Sequence, residues 1–309
     1  MIKAFIIGIG IFISGAVIVL INGCNGIHKR TDIDIADSGT IHISVDESFR
    51  PVIDAQIKVF EALYPHANII PEYKPEADCL KDLVHDSATR LVIVTRGLSD
   101  QEEHYFQDSI KYVPISDVVA YDAVTVVVNP HSADSIITTE KIRSILDGST
   151  TGKEIAVFDG FNATSTVRYA ADSILLGKPL DKNKVMAVPN SQAVIDYVAD
   201  HDNVLGFVGV NWIGEPDDPD QLSFIKKVKI AAIACPACGS NIFVKPYQSN
   251  IMYKRYPFVR GLYYILKENY QGLGYGFTNF MSLERGQLIF RRAYLAPAKI
   301  DFNIRNVSF

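Results

Sequence analysis

The chain has 309 residues, with 30 Lys plus Arg against 35 Asp plus Glu and a formal net charge of −5, which argues against a nucleic-acid surface built on basic stripes. An apolar share of 48% beside 21% charged residues excludes a disordered tail or a fibrous repeat. The length suits one large α/β unit or two lobes around a substantial core, and four Cys in so long a chain do not make a disulfide scaffold.

The chain opens on Lys3, then runs from Ala4 to Ile21 without a charge. That is about eighteen residues, the lower limit for a spanning helix. Ile21-Asn22-Gly23-Cys24 follows and resembles a lipobox, in which an aliphatic and a small residue precede a diacylated Cys. On this reading residues 1–23 are a lipoprotein signal peptide, Cys24 carries the lipid, and 24–37 form a polar tether. The alternative is an uncleaved anchor helix, which His28-Lys29-Arg30 just after the run oppose by the positive-inside rule. Either way the expectation is a protein of the cell envelope, anchored to a membrane and facing the periplasm or the exterior.

Thr40 to Val45 alternates β-branched residues and predicts a strand. Ser48 is placed to cap a helix with Pro51 in its first turn and Val52, Ala55, Val59, Phe60 and Leu63 at helical spacing. Asn68–Tyr73 predicts a second strand, Leu80, Leu83 and Val84 a short helix, and the apolar Leu91–Thr95 a strand buried on both faces. Ser99 with Glu102 makes a capping box. Val118–Val128 is a long apolar strand broken by Asp122. Ile142, Ile145 and Leu146 form a helix stripe closed by Gly148, and Ile155–Phe158 is a strand. Thr164-Ser165-Thr166 starts a helix closed by Gly177; Val185–Val188 is a strand, Ser191 caps the next helix, and Leu205–Val210 is a strand. Ile225–Ala234 reads as a second long strand, and Phe258–Leu266 and Phe277–Phe290 as helices. Strands alternating with helices imply mostly parallel sheets covered on both faces.

Several segments, in order, resemble the phosphate-binding proteins of ABC importers, and especially a divergent lipoprotein branch from Bacteroidetes-like bacteria. They are Val94-Thr95-Arg96-Gly97-Leu98-Ser99 with Glu102, Ala120–Val124 leading to Asn129-Pro130, and Ile142–Gly148. Thr164-Ser165-Thr166, Gly206-Phe207-Val208-Gly209, Tyr256-Pro257-Phe258 with Arg260 and Leu262–Tyr264, and Gly286-Gln287 complete the set. The resemblance implies an α/β, two-lobed type II periplasmic binding protein fold, mostly parallel sheets joined by two crossover strands. Residues 38–122 and 231–309 would form lobe one and residues 123–230 lobe two. It also implies a monomer without enzymatic activity, cofactor or metal, which captures phosphate or a similar oxyanion and hands it to an ABC permease.

By the same resemblance the ligand-binding residues are Ser48, Phe49, Thr95, Arg96, Thr164, Ser165 and Thr166; beside them, Glu76 or Glu47 is a candidate for the carboxylate acceptor that the family's Asp would supply. Helix starts suit such a ligand, because unpaired N–H groups and hydroxyls converge there. Each has a plainer reading beside it. The hydroxyls can be helix caps, Arg96 a surface ion pair, and Glu76 a solvated loop carboxylate. The chain also departs from the family: Thr95-Arg96 stands where an Asp is usual, and Phe158-Asp159-Gly160 where an Arg is usual. These departures leave open a repurposed fold acting as sensor or scaffold for another ligand. Cys235-Pro236-Ala237-Cys238 has thiol-oxidoreductase spacing, but it enters a Gly-, Ser- and Asn-containing loop, where a small disulfide is the expectation. Cys79 reads as a buried thiol.

Overall fold

The computed structural model describes residues 34–133, 135–160, 164–214 and 224–300. The segments expected as signal peptide (1–23), lipid attachment site (Cys24) and most of the tether (24–37) lie outside the described residues. Among those residues no helix is long and apolar enough to cross a membrane.

The first part of the chain alternates β1 (Ser38–Asp46), α1 (Arg50–Leu63), β2 (His66–Lys74), α2 (Glu76–His85), β3 (Leu91–Val94) and α3 (Asp100–Ser109). Alternation in β1 puts Ile41, Ile43 and Val45 on one buried face, where α1 packs Val52, Ile53, Ile57 and Phe60. β3 is buried throughout, as its unbroken apolar run requires, and Ser99 and Glu102 form the expected capping box at α3. Cys79 is buried and free.

β4 (Ile115–Val128) then crosses the molecule. β5 (Ile136–Ile137), α4 (Thr139–Leu146), β6 (Ile155–Phe158), α5 (Ser165–Tyr169), β7 (Val185–Ala187), α6 (Ser191–Asp200) and β8 (Val204–Gly209) follow, and α5 runs on as a π-helical turn, Ala170–Ile174. The chain finishes with β9 (Lys229–Ile230), β10 (Ala232–Ala234), β11 (Phe243–Val244), α7 (Gln248–Met252), β12 (Val259–Leu266), α8 (Leu273–Ser282), α9 (Glu284–Arg292) and β13 (Ala296–Pro297).

The large sheet has the order β2-β1-β3-β12-β4-β8-β6-β7. β1, β2 and β3 are parallel to one another, and so are β6, β7 and β8. β4 joins the two halves: up to Ala123 it runs antiparallel to β12, and from Val124 to Val127 antiparallel to β8. Gln287 locks α9 onto this strand by donating to the carbonyls of Val119 (2.9 Å) and Met281 (2.7 Å). Gly286 is needed beside it, because a Cβ there would meet the backbone of Phe280 and Met281.

Three expectations are corrected. Phe258–Leu266 is not a helix; from Val259 it is the strand β12, held between β3 and β4 in the sheet centre. A register shift between Leu262 and Tyr263 breaks its alternation, so the buried positions Phe258, Leu262, Ile265 and Leu266 fall at helical spacing. Ile225–Ala234 is not one strand but a helical turn at 224–227 followed by β9 and β10. The run changes partners midway: Ile230 pairs with Val127 of β4, while Ala232 and Ile233 pair with β5. Phe277–Phe290 is two helices, because Leu283 takes an extended conformation between α8 and α9.

Candidate functional site

The parallel strands of both half-sheets end at the step where Asp122 of β4 faces Arg260 of β12 in the ladder. Ligands of open α/β sheets bind beyond such carboxyl ends, where the following helices also begin. The turns after β1, β3, β6, β7 and β8 converge here.

Asp46 ends β1, and its Oδ1 accepts the Ser48 N–H at 3.0 Å, capping a short 3-10 turn, Glu47–Phe49. Ser48 therefore does not cap α1, as the sequence had suggested; the cap position is Phe49, without a side-chain bond. The Ser48 side chain is left to face the cleft. Its hydroxyl lies 3.3 Å from Asp159 Oδ2 and 3.3 Å from Ser165 Oγ. Its carbonyl accepts from Asn211 Nδ2 (2.8 Å) and Trp212 Nε1 (2.9 Å).

Arg260 is the cationic centre. Its side chain is only 2% exposed; Nε donates to Asp122 Oδ2 at 2.9 Å and Nη1 to Ser165 Oγ at 2.8 Å. The guanidinium carbon lies 5.0 Å from the centre of the buried Phe49 ring, a cation–π contact. Nη2 has no hydrogen-bond partner among the described residues, and neither has Asp46 Oδ2.

Thr164 caps α5 by accepting the Val167 N–H at 3.4 Å, while the Thr166 hydroxyl donates to Asp159 Oδ1. Asp159 Oδ2 also accepts from Ser191 Oγ at 3.4 Å. Ser191 is the first residue of α6, not its cap; Asn190 caps that helix by accepting the Ala193 N–H at 2.9 Å. The Ser191 hydroxyl is instead 2.9 Å from Glu47 Oε2.

A second cluster forms between α2, the end of β3 and α5. Glu76, only 2% exposed, accepts the Thr95 N–H at 2.8 Å, the Thr95 hydroxyl at 2.5 Å and Arg168 Nε at 2.6 Å. Arg96 makes a two-pronged pair with Glu102 at 2.7 and 2.9 Å, so its charge is held at the start of α3. Glu76, Arg96, Glu102, Thr164 and Arg168 line a cavity of about 350 Å³ that opens at this edge of the cleft.

Burial pushes Asp46 up to about 7, aided by the charges of Glu76 and Asp159 and resisted by Arg260. Burial likewise raises Glu47, with Asp159 adding to it. Burial works to raise Glu76 as well, but hydrogen bonds from Arg168 and Thr95 overcome it and leave the carboxyl below its ordinary value. Arg96 holds Glu102 down to about 2.

Of the residues singled out from sequence, Ser48, Phe49, Ser165 and Thr166 lie in the inner cluster, and Thr95, Arg96 and Glu76 in the outer one; Thr164 touches both. Sequence reasoning had not assigned Asp46, Asp122, Arg168, Ser191, Asn211 or Arg260 to the site, and had treated Asp159 only as a departure. Two carried a signal: Asp122 interrupts an apolar strand and Arg260 an aromatic one, and an ionised side chain in a buried strand demands a partner. Cys235 and Cys238 are joined in a disulfide at the edge of the small sheet β11-β10-β5, as the loop composition had suggested.

A family model described as "PBP superfamily domain" matches residues 32–284. A structure from Clostridium perfringens with bound phosphate, assigned as a phosphate ABC transporter substrate-binding protein, superposes with a TM-score of 0.69 at 18% identity, covering 84% of this chain and 100% of that one. An ABC-type phosphate transport receptor from Vibrio cholerae gives 0.61 at 15% identity, over 84% and 100%. The regulatory domain of OxyR2 from Vibrio vulnificus, in its reduced form, gives 0.53 at 12% identity, over 81% and 95%. A comparison with curated proteins finds no match. At these identities the structural likeness is one of fold, and the family model spans most of the chain. The chain belongs to the PBP superfamily and has its two-lobed periplasmic binding protein fold.

Proposed function

We propose that this chain is an extracytoplasmic solute-binding lipoprotein that captures a small oxyanion, phosphate in the first place, and presents it to an ABC permease. Residues 38–122 and 231–309 would act as one lobe and 123–230 as the other, with Cys24 as the lipid anchor. The observation that carries the reading is the inner cluster: Arg260 bonded to the Ser165 hydroxyl, with Ser48 beside Ser165 and the hydroxyls of Thr166 and Ser191 gathered at the neighbouring Asp159, where the carboxyl ends of both half-sheets meet. Hydroxyls and a guanidinium are donors matched to tetrahedral oxyanions, and a buried Arg with an unused N–H has a bond left to make. No bond in the ligand is made or broken. Ser48 of one half lies 3.3 Å from Ser165 of the other, so a ligand held by both would favour the closed lobes.

Calorimetric titration of the full chain in detergent with phosphate, and then with sulfate, tests this. Saturable phosphate binding is the expected result; a folded protein that gives no heat with either anion refutes it. Ser165→Ala removes the hydroxyl between Arg260 and Ser48 and should weaken phosphate about tenfold, since one hydrogen bond to a charged group is worth roughly 1.5–3 kcal/mol. Unchanged affinity in that variant moves the ligand away from this cluster. A second reading, a sensor or scaffold, is favoured by one observation: carboxylates of the chain itself already take the donors of the cleft.

A further inference from the structure

Those carboxylates can be followed proton by proton. Each hydroxyl in the inner cluster has one proton to give. The Thr166 proton goes to Asp159 Oδ1. Ser191 has Glu47 Oε2 at 2.9 Å and Asp159 Oδ2 at 3.4 Å. Ser48 has Asp159 Oδ2 and Ser165 Oγ, each at 3.3 Å. Three hydroxyls from three separate segments thus surround one carboxylate, and that carboxylate is 5% exposed. Its Oδ1 takes the Thr166 proton and its Oδ2 lies within reach of the Ser48 and Ser191 hydroxyls, a position that an oxyanion's oxygens would also seek.

Resting on the oxyanion reading above, we infer that Asp159 is the chain's own competitor for that seat and sets which anions can enter. Asp159 and an incoming oxyanion compete for the same hydroxyls: the Thr166 proton is already given to Asp159, and the Ser48 and Ser191 hydroxyls lie within its reach. Held a few ångströms apart in a site away from bulk water, the two negative charges also repel each other strongly. The anion enters only by displacing the Asp159 side chain. Gly160 follows it at φ +154°, a conformation open to glycine, where a Cβ would lie 2.6 Å from Thr164 Cγ2, so the turn that sets Asp159 against the hydroxyls depends on a glycine.

The test is titration of the wild-type full chain, Asp159→Asn and Asp159→Ser with phosphate and with sulfate. Asn keeps the shape without the charge, and Ser frees the seat if Asn fails to fold. Both should bind phosphate at least tenfold more tightly than wild type, and sulfate should gain at least as much. A variant that binds phosphate where wild type does not supports Asp159 as the competitor but overturns the wild-type chain as an oxyanion receptor. A folded variant with equal or weaker affinity, beside a wild type that binds, overturns the role of Asp159 and leaves the oxyanion reading standing. Binding by none of the three proteins overturns both. Simple damage to the fold lowers affinity and cannot produce the gain.

Discussion

Arg260→Met should destabilise the protein by about 3–5 kcal/mol, the usual result of removing one partner from a buried ion pair. The side chain of Asp122 is fully buried, and without the guanidinium its carboxylate keeps only the backbone N–H groups of its surroundings, such as Val210 at 3.1 Å. Burial already raises Asp122 against the influence of Arg260, so the orphaned group would take up a proton to stay inside. Arg260→Met with Asp122→Asn removes the charge from both sides and should recover much of the loss. Denaturant titration of the two single variants and the double variant gives the coupling directly. A single variant within about 1 kcal/mol of wild type would show that the pair is not what holds β4 to β12 at this step. The double variant should still lack tight oxyanion binding, because the donor to Ser165 is gone while the fold is restored. That separates the two roles of Arg260: closing the ladder below the cleft, and presenting N–H groups into it.

The elements that sequence reading found are those whose burial follows one simple rule. β1, β2 and β3 are bounded apolar or alternating runs, and parallel strands packed on both faces leave that trace. β12 escaped because a bulge erased its alternation, and 225–234 because one apolar run serves two sheets. Both causes are pairings with distant strands, which local periodicity does not record.

The site divides in the same way. Clusters of Ser and Thr at helix starts were legible because short hydroxyl side chains gather there for local reasons. Which hydroxyl caps and which faces the cleft was not: Asp46 takes the turn that frees Ser48, and Asn190 the cap that frees Ser191. Their partners were hidden by separation along the chain. Ser48 meets Asp159 111 residues away, Arg260 meets Ser165 95 residues away, and Arg168 meets Glu76 92 residues away. Arg96 was placed by its strand end, yet Glu102 holds it, and Arg168 from the other half of the sheet reaches Glu76 and Thr95 instead.

Asp46→Asn should stabilise the protein above neutral pH and change little in acid. The carboxyl stands at about 7 against an ordinary value of 3.8, chiefly because it is buried. Its folded form holds the proton more tightly than its unfolded form, so its contribution to stability is fully present below about pH 3.8 and is lost as pH rises through about 7. The displacement corresponds to roughly 4 kcal/mol once the group is fully ionised in both states. Asparagine keeps an oxygen for the Ser48 N–H and has no charge to desolvate. Melting temperatures of wild type and variant should therefore lie close below about pH 3.8, diverge steadily up to about pH 7 and stay apart beyond it, with the variant higher by about 2–4 °C per kcal/mol. Glu76 and Glu102, both held below their ordinary values, act in the opposite direction: their contributions are present above about pH 4.5 and fade in acid. They are common to both proteins, so the difference between the two curves isolates Asp46. A difference that stays flat between about pH 3.8 and 7 would mean that burial does not raise Asp46. Arg260, already paired with Asp122, would then face the Asp46 charge as well, and its attraction for an oxyanion would be correspondingly weaker.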